Sequence, residues 1–114
     1  MGRRQGSHSL FEMSLRVDLL AGADADLQET FNRFEDYRET LGVEFMASVE
    51  AYLTRISAFP EIAPTYFENV RRQVMHRFPY GIFYERQPKR VLVLAILDLR
   101  QDQEQILKRL GRNR

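Results

Sequence analysis

The second half of the chain concentrates side chains that could act on a phosphate ester. The basic and hydroxyl candidates are Arg71, Arg72, His76, Arg77, Tyr80, Tyr84 and Arg100. RNA cleavage without a metal needs groups that move a proton from the 2′-OH and onto the leaving oxygen, together with cations around the transition state. Paired carboxylates, Gly-rich phosphate loops and metal-ligand spacings are absent from the sequence. These residues therefore fit metal-free acid–base chemistry, and neither a metal nor a cofactor is expected.

A strand predicted over residues 70–78 divides the basic side chains between two faces. Alternate residues of a strand point to opposite sides, so Arg71 and Arg77 share one face and Arg72 lies on the other. The face of Arg72 carries more apolar side chains, and we expect it to contact helices. Arg71 and Arg77, with Arg100 at a strand end, are therefore the expected catalytic residues in an exposed basic concavity.

An alternating strand and two amphipathic helices precede this region. Residues 14–20 predict a strand whose buried face holds Leu15, Val17 and Leu19. Asp24 is the predicted N-cap of the first helix, Gly42 its end and Pro60 the stop of the second. The apolar stripes of the helices are Leu27, Phe31, Phe34 and Leu41, then Phe45, Val49, Leu53 and Ile56. Helices so closely joined must lie antiparallel and cover a sheet.

Three β-prone segments supply that sheet, at residues 70–78, 80–86 and 91–97. The last of them is apolar on both faces, which is typical of an interior strand covered on both sides. A short amphipathic helix is predicted over residues 103–110, ended by Gly111. The predicted fold class is α+β in the order β-α-α-β-β-β-α, a helical hairpin packed on a mainly antiparallel sheet.

The composition fits one globular domain. The chain has 114 residues, of which 44% are hydrophobic and 29% charged, and this leaves room for a single core. Without cysteine, disulfides and cysteine nucleophiles are excluded. The longest apolar run, residues 91–97, is far shorter than the ~20 residues that span a bilayer, so no membrane partner is expected. We interpret residues 1–12 as a disordered leader or a cloning-derived segment, and residues 13–114 as one domain.

Charge is distributed unevenly along the chain. Residues 1–70 contain 6 basic and 12 acidic side chains, a balance of −6, whereas residues 71–114 contain 11 and 4, a balance of +7. Such an asymmetry is typical of a surface that meets an anionic partner. The alternative is that the two halves neutralise each other across the fold, and the sequence leaves both interpretations open.

The element order and several short motifs resemble the RelE/ParE toxin superfamily. The motifs are Ala25-Asp26-Leu27, Gly42-Val43-Glu44-Phe45, Ala58-Phe59-Pro60, the block Arg77-Phe78-Pro79-Tyr80-Gly81-Ile82-Phe83-Tyr84, and Arg100-Gln101-Asp102. The resemblance as a whole extends over residues 13–110, nearly the whole chain. The resemblance implies a cytoplasmic bacterial growth inhibitor of the plasmid-stabilisation kind, held inactive by a cognate antitoxin encoded beside it.

The superfamily contains two kinds of toxin. Members like RelE cut mRNA in the ribosomal A site with basic side chains in place of a metal, whereas members like ParE poison DNA gyrase. Ribonuclease-type relatives carry arginine where this chain has Gly81, and many carry histidine where it has Asp98. Only Arg100 matches their basic residue after the last strand. These departures favour a ParE-like gyrase poison; a RelE-like endoribonuclease and a degenerate toxin that retains only antitoxin binding are the alternatives.

The resemblance also assigns provisional roles to individual residues. Arg71, Arg77 and Arg100 form the expected catalytic set. The residues expected to contact RNA or a target are Arg72, Tyr84, Lys108 and Arg109. The expected partners are the antitoxin and either DNA gyrase or the ribosome with its mRNA. A homodimer and a heterotetramer with the antitoxin both remain open.

Overall fold

The structure of the protein is a computed structural model that describes residues 14–112. Its elements are β1 (Arg16–Leu19), α1 (Ala21–Tyr37), α2 (Leu41–Ala58), β2 (Thr65–Phe67), β3 (Val70–Val74), β4 (Tyr80–Gln87), β5 (Arg90–Asp98) and α3 (Gln103–Arg112). The predicted leader, residues 1–12, lies outside the described residues. From residue 14 to residue 112, no helix is long and apolar enough to cross a membrane.

The five strands form one sheet in the order β1-β5-β4-β3-β2. β1 runs parallel to β5, and the other neighbours are antiparallel. This confirms the predicted α+β class. The predicted element order was incomplete because β2 was missed. Its three residues are too few to show an alternating pattern, and they pair with β3 through a tight turn in which Glu68 has a φ of 52°.

The sheet is covered on both faces. The α1–α2 hairpin packs on one face against Tyr80, Ile82 and Tyr84 of β4, while α3 packs on the other with Phe83. Every residue from 91 to 97 is buried, which confirms the prediction of an interior strand. The predicted buried face of β1 is also confirmed, since it packs against the hairpin side of the core through Leu15, Val17 and Leu19.

An aromatic cluster joins the start of β4 to the hairpin. Its members are Phe34, Phe45, Phe78 and Tyr80, and the ring centroids of the five contacting pairs lie 5.2–5.9 Å apart. Tilted and edge-on aromatic pairs each contribute about 0.5–1.5 kcal/mol beyond the area that they bury. The cluster fixes residues 75–79, the turn between β3 and β4, against α1 and α2.

The helix boundaries differ from the prediction. α1 begins at Ala21, so Asp24 lies in its first turn and is not the N-cap. Gly42 does not end α1, because the turn is made by Thr40 with a φ of 72° and Gly42 already belongs to α2. A Cβ on Gly42 would lie 2.6 Å from the carbonyl oxygen of Phe31. Glycine is therefore needed there for the close approach of two helices.

β3 is shorter than predicted, and the face predicted to be exposed is the one that lies on the side of the α1–α2 hairpin. The strand ends at Val74, and residues 75–79 form a turn closed by a 2.9 Å hydrogen bond from the Met75 amide to the Tyr80 carbonyl. Residues directly opposite on paired strands share a face. Arg71 is opposite Tyr84 and therefore lies on the hairpin side, whereas Arg72 is opposite Phe83 on the α3 side. The prediction was wrong because it extended strand alternation through the turn.

Candidate functional site

Arg71 and Tyr84 support the loop between α2 and β2. Arg71 Nη1 donates hydrogen bonds to the carbonyl oxygens of Ala63 at 2.7 Å and Glu61 at 3.2 Å. The hydroxyl of Tyr84 donates to the carbonyl oxygen of Pro60 at 2.9 Å. Tyr84 is fully buried, and burial raises the pKa of its hydroxyl. Tyr84 therefore cannot contact a target, which corrects the role expected from the sequence.

Arg72 lies on the opposite face, where its guanidinium carbon is 4.7 Å from the ring centroid of Tyr66. This is a cation–π arrangement. Gly81, on the adjacent strand, is closely covered, since a Cβ there would lie 2.9 Å from Cδ2 of Leu99. An arginine at position 81, as in the ribonuclease-type pattern, would have to displace the Leu99 side chain.

Arg77 fastens the turn before β4 to the start of α2. Its guanidinium forms an ion pair with Glu44, whose carboxylate also lies 3.5 Å from Nη2 of Arg38. The hydrogen bond from Arg77 is the main reason that the pKa of Glu44 is lowered. Glu44 lies in the first turn of α2, where its negative charge also interacts favourably with the helix dipole. Arg77 thus has a structural contact in the folded chain.

Arg100 is the most accessible of the three predicted catalytic arginines. It binds Asp98 through two side-chain hydrogen bonds, from Nε at 3.0 Å and from Nη2 at 2.7 Å. The side chain of Arg100 is nevertheless 71% exposed. Arg100 lowers the pKa of Asp98, and Asp98 raises the pKa of Arg100.

The predicted basic concavity is divided between two ends of the sheet. Arg71 is opposite Tyr84, whereas Arg100 follows Asp98, which is paired with Tyr80. Four residues along a strand correspond to roughly 13 Å. Arg77 lies at the Arg100 end, because the Leu99 amide donates to the Pro79 carbonyl at 2.8 Å. Arg71 and Arg100 are therefore too far apart to act together on one phosphate.

Of the residues expected to contact a target at the C-terminal helix, only Lys108 is exposed. Arg109 binds both oxygens of Asp26, at 3.0 and 2.8 Å, and the two side chains are only 22% and 12% exposed. Asp26 also accepts a 2.9 Å hydrogen bond from the amide of Ile96. Arg109 therefore anchors α3 to α1 and β5, and its expected role as a contact residue is corrected.

The two charged halves of the chain pair with each other across the fold. Four arginines of the second half bind carboxylates of the first, in the pairs Arg77–Glu44, Arg86–Glu61, Arg90–Asp18 and Arg109–Asp26. Part of the +7 balance of residues 71–114 is thus neutralised within the folded domain. This result favours the second of the two interpretations of the charge asymmetry.

Arg33 is a candidate residue that the sequence did not single out. It is exposed on the face of α1 opposite the apolar stripe, and its Nη2 also donates a 2.9 Å hydrogen bond to the hydroxyl of Tyr80. This bond is the main cause of the raised pKa of Arg33. Tyr80 is only 2% exposed, and a buried tyrosine hydroxyl normally requires a polar partner. The need of a buried tyrosine hydroxyl for a polar partner was the one feature that could have pointed to Arg33 from the sequence.

Arg33 and Tyr80 line a polar cleft between α1, the end of β5 and α3, which we call the α1–α3 cleft. Its volume is about 240 Å³. The residues that line it are Asp26, Glu29, Thr30, Arg33, Tyr80, Ile96, Leu97, Asp98, Gln101 and Arg109. Over residues 14–112, no group of three or more metal-ligating side chains could hold a metal ion.

Comparison with family models and with curated proteins finds no match. Comparison with solved structures matches a chain of the "Chromosomal ParDE TA system from P. aeruginosa". The match covers 76% of this chain and 98% of that one, with a TM-score of 0.58 and 14% sequence identity. The chain therefore has the fold of a ParE/RelE-type toxin, as the motifs predicted.

Proposed function

We propose that the chain is the toxin of a type II toxin–antitoxin module, and that it arrests growth by binding a protein, DNA gyrase, in the manner of ParE. The fold carries this proposal, because the similarity extends over nearly the whole of a chain from a ParDE system. Fold alone does not define activity, so the choice of target is argued from the site.

The dispersal of the arginines favours a protein-binding toxin. Metal-free RNA cleavage needs cations and proton-transfer groups around one phosphate. Here Arg71 is bound to loop carbonyl groups, Arg77 to Glu44 and Arg109 to Asp26. Tyr84 is buried, and the position of Gly81 is covered by Leu99. Of the three arginines expected to be catalytic, Arg71 and Arg77 are therefore engaged in contacts that hold the fold, and Arg100 is the most exposed.

The expected partner is an antitoxin that neutralises the toxin. We expect it to bind through an extended segment that becomes ordered on binding, as is common for regulatory partners of small domains. The assembly is expected to be either a homodimer or a heterotetramer with the antitoxin. The molecular mass of the purified complex in solution distinguishes the two.

Induction of the chain in a bacterial host without antitoxin tests the target. Protein and DNA synthesis are followed by pulse-labelling in parallel, and the purified chain is added to a gyrase supercoiling assay. A gyrase poison should stop DNA synthesis first, cause filamentation and inhibit supercoiling. Earlier arrest of protein synthesis, with normal supercoiling, would exclude the gyrase proposal. Absence of any growth arrest would indicate a degenerate toxin.

A second candidate is a ribosome-dependent endoribonuclease, which the exposure of Arg100 favours. Arg100 lies at the same end of the sheet as Arg33, which is also exposed, so two cations are available there. Arg100→Ala should then abolish mRNA cleavage. Arg16→Ala is a matched control, because Arg16 is 70% exposed and bound to a carboxylate two residues away. Cleavage retained by Arg100→Ala would exclude this site.

A further inference from the structure

We propose that the α1–α3 cleft binds a single carboxylate side chain of a protein partner, with Arg33 and Thr30 as the groups that bind it. The cleft contains carboxylates and arginines in similar number, so its preference depends on which of them are already engaged. The identification of that partner as the antitoxin rests on the proposed function, whereas the recognition of a carboxylate does not.

Both aspartates of the cleft are already engaged. Asp26 accepts hydrogen bonds from Nη1 and Nη2 of Arg109 and from the Ile96 amide. Asp98 accepts from Nε, Nη2 and the backbone amide of Arg100. Each carboxylate is therefore neutralised by an arginine and nearly saturated with donors. Neither has much capacity left to bind a cationic or hydrogen-bond-donating ligand.

Arg33 has donors to spare. Within residues 14–112 it forms no ion pair, and its one side-chain hydrogen bond is to the Tyr80 hydroxyl at 2.9 Å. A guanidinium carries five N–H donors, so four remain for a ligand. Because Tyr80 is only 2% exposed and held in the aromatic cluster, the bond to its hydroxyl holds the guanidinium in place. Such preorganisation lowers the entropic cost of binding.

Thr30 provides an independent indication of a ligand. It is the one buried polar residue of the described chain, with 3% exposure, and it lines the cleft one helical turn from Arg33. Its hydroxyl makes no hydrogen bond to any other group between residues 14 and 112. A buried hydroxyl without a partner is costly, and native proteins rarely keep one without a reason. An acceptor bound at Arg33 would supply the missing partner.

The remaining charges favour a monoanion. Glu29 and Asp98 lie close enough to Arg33 to raise its pKa. Because Asp98 is paired with Arg100, Glu29 is the carboxylate that would repel a dianionic phosphate more strongly than a singly charged carboxylate. A carboxylate also matches the fork of a guanidinium with two parallel hydrogen bonds. The volume of about 240 Å³ is suited to one inserted side chain and not to a nucleotide chain.

Titration of the full chain with N-acetylglutamate α-N-methylamide, whose one carboxylate is that of the side chain, tests the proposal when it is followed by NMR of the backbone amides and the Arg33 Nε–H group. We expect saturable shifts centred on Thr30 and Arg33. N-acetylglutamine α-N-methylamide has nearly the same size without any charge and should produce no such shifts. Inorganic phosphate should bind more weakly than the glutamate derivative. Equal response to the glutamine derivative, or tighter binding of phosphate, would overturn the proposal.

Two variants separate binding from folding. Arg33→Gln should raise the Kd for N-acetylglutamate α-N-methylamide about tenfold, because charge-assisted hydrogen bonds are lost. Arg55→Gln is the matched control, since Arg55 is also a helical arginine beside a tyrosine but lies outside the cleft. Thr30→Val should weaken binding about threefold while leaving the folded state as stable as before or more so, because it removes an unsatisfied hydroxyl without changing the shape. Unchanged binding in Arg33→Gln, or equal weakening in Arg55→Gln, would contradict the assignment.

Discussion

Two arginine–aspartate pairs flank the α1–α3 cleft, and they differ in how far water reaches them. Arg109 and Asp26 are 22% and 12% exposed and join residues 83 positions apart, whereas Arg100 and Asp98 are 71% and 28% exposed and only two positions apart. Both pairs are bidentate, although Arg109 donates from Nη1 and Nη2 and Arg100 from Nε and Nη2. The difference shows that burial and chain separation, and not the contact itself, decide whether an ion pair holds the fold or leaves an arginine available to a partner.

The largest predicted effect comes from breaking the inner pair. Asp26→Ala would leave the half-buried Arg109 without its carboxylate and the Ile96 amide without its acceptor. Removal of one partner from a buried pair costs about 3 kcal/mol, and α3 should loosen from the sheet. Urea unfolding measures the change in the free energy of unfolding.

Asp36→Ala is the control for this prediction, because Asp36 is exposed on the same helix. The double variant Asp26→Ala/Arg109→Leu should recover part of the loss, since it also removes the unpaired cation. A loss in Asp26→Ala no larger than in Asp36→Ala would mean that the inner pair does not anchor α3.

An intermediate effect is expected at the hydrogen bond between the two pairs. Tyr80→Phe keeps the ring in the aromatic cluster and removes only the hydroxyl that accepts from Arg33. Because Arg33 can regain water, the loss of stability should be about 1 kcal/mol. Thermal and urea unfolding measure it, and the NMR signal of Arg33 Nε–H should sharpen or shift as the side chain becomes mobile. A loss of stability as large as that of Asp26→Ala would mean that this hydrogen bond stabilises the fold as strongly as the Arg109–Asp26 pair, contrary to the prediction.

The smallest effect is expected at the outer pair, and it should depend on pH. Arg100 lowers the pKa of Asp98 below the unfolded value of 3.8. The stability that Asp98 contributes is therefore present above about pH 4 and is lost as the pH falls through its folded pKa. Urea midpoints of the wild type and Asp98→Asn should differ slightly at pH 7 and converge as the pH falls through the folded pKa of Asp98. If the two urea midpoints moved apart as the pH fell, the pKa of Asp98 would be raised in the folded state and not lowered, and the prediction would be wrong.

Much of the fold could be predicted because its signals are local. Alternation in β1, the apolar stripes of α1 and α2 and the continuous apolar run of β5 each extend over enough residues to define a period. The errors lie where tertiary contacts override the local pattern. Gly42 allows two helices to pack closely and does not end a helix. Phe78 is buried although it lies in a turn beyond the end of β3. In neither case does the residue type alone indicate the structural role.

The site was less predictable than the fold. Residue type alone identified Arg71, Arg77 and Arg109 as available cations, but their availability depends on partners distant in sequence, such as Glu44 and Asp26. The exposed position of Arg33 follows from helical periodicity, but its hydrogen bond to Tyr80 does not, because periodicity describes where a Cβ points and not where a long side chain ends. Arg100 remains accessible because its partner is a near neighbour in the sequence.

The parallel pairing of β1 with β5 links folding to the completion of synthesis. Residues 16–19 must align with residues 90–93, so the first strand has no sheet partner until β5 has been made. The sheet that the hairpin of α1 and α2 covers is likewise incomplete until then, because β5 joins β1 to the other strands. Contacts of such long sequence separation also form slowly. The order of synthesis therefore leaves the pairing of β1 with β5 among the last events of folding.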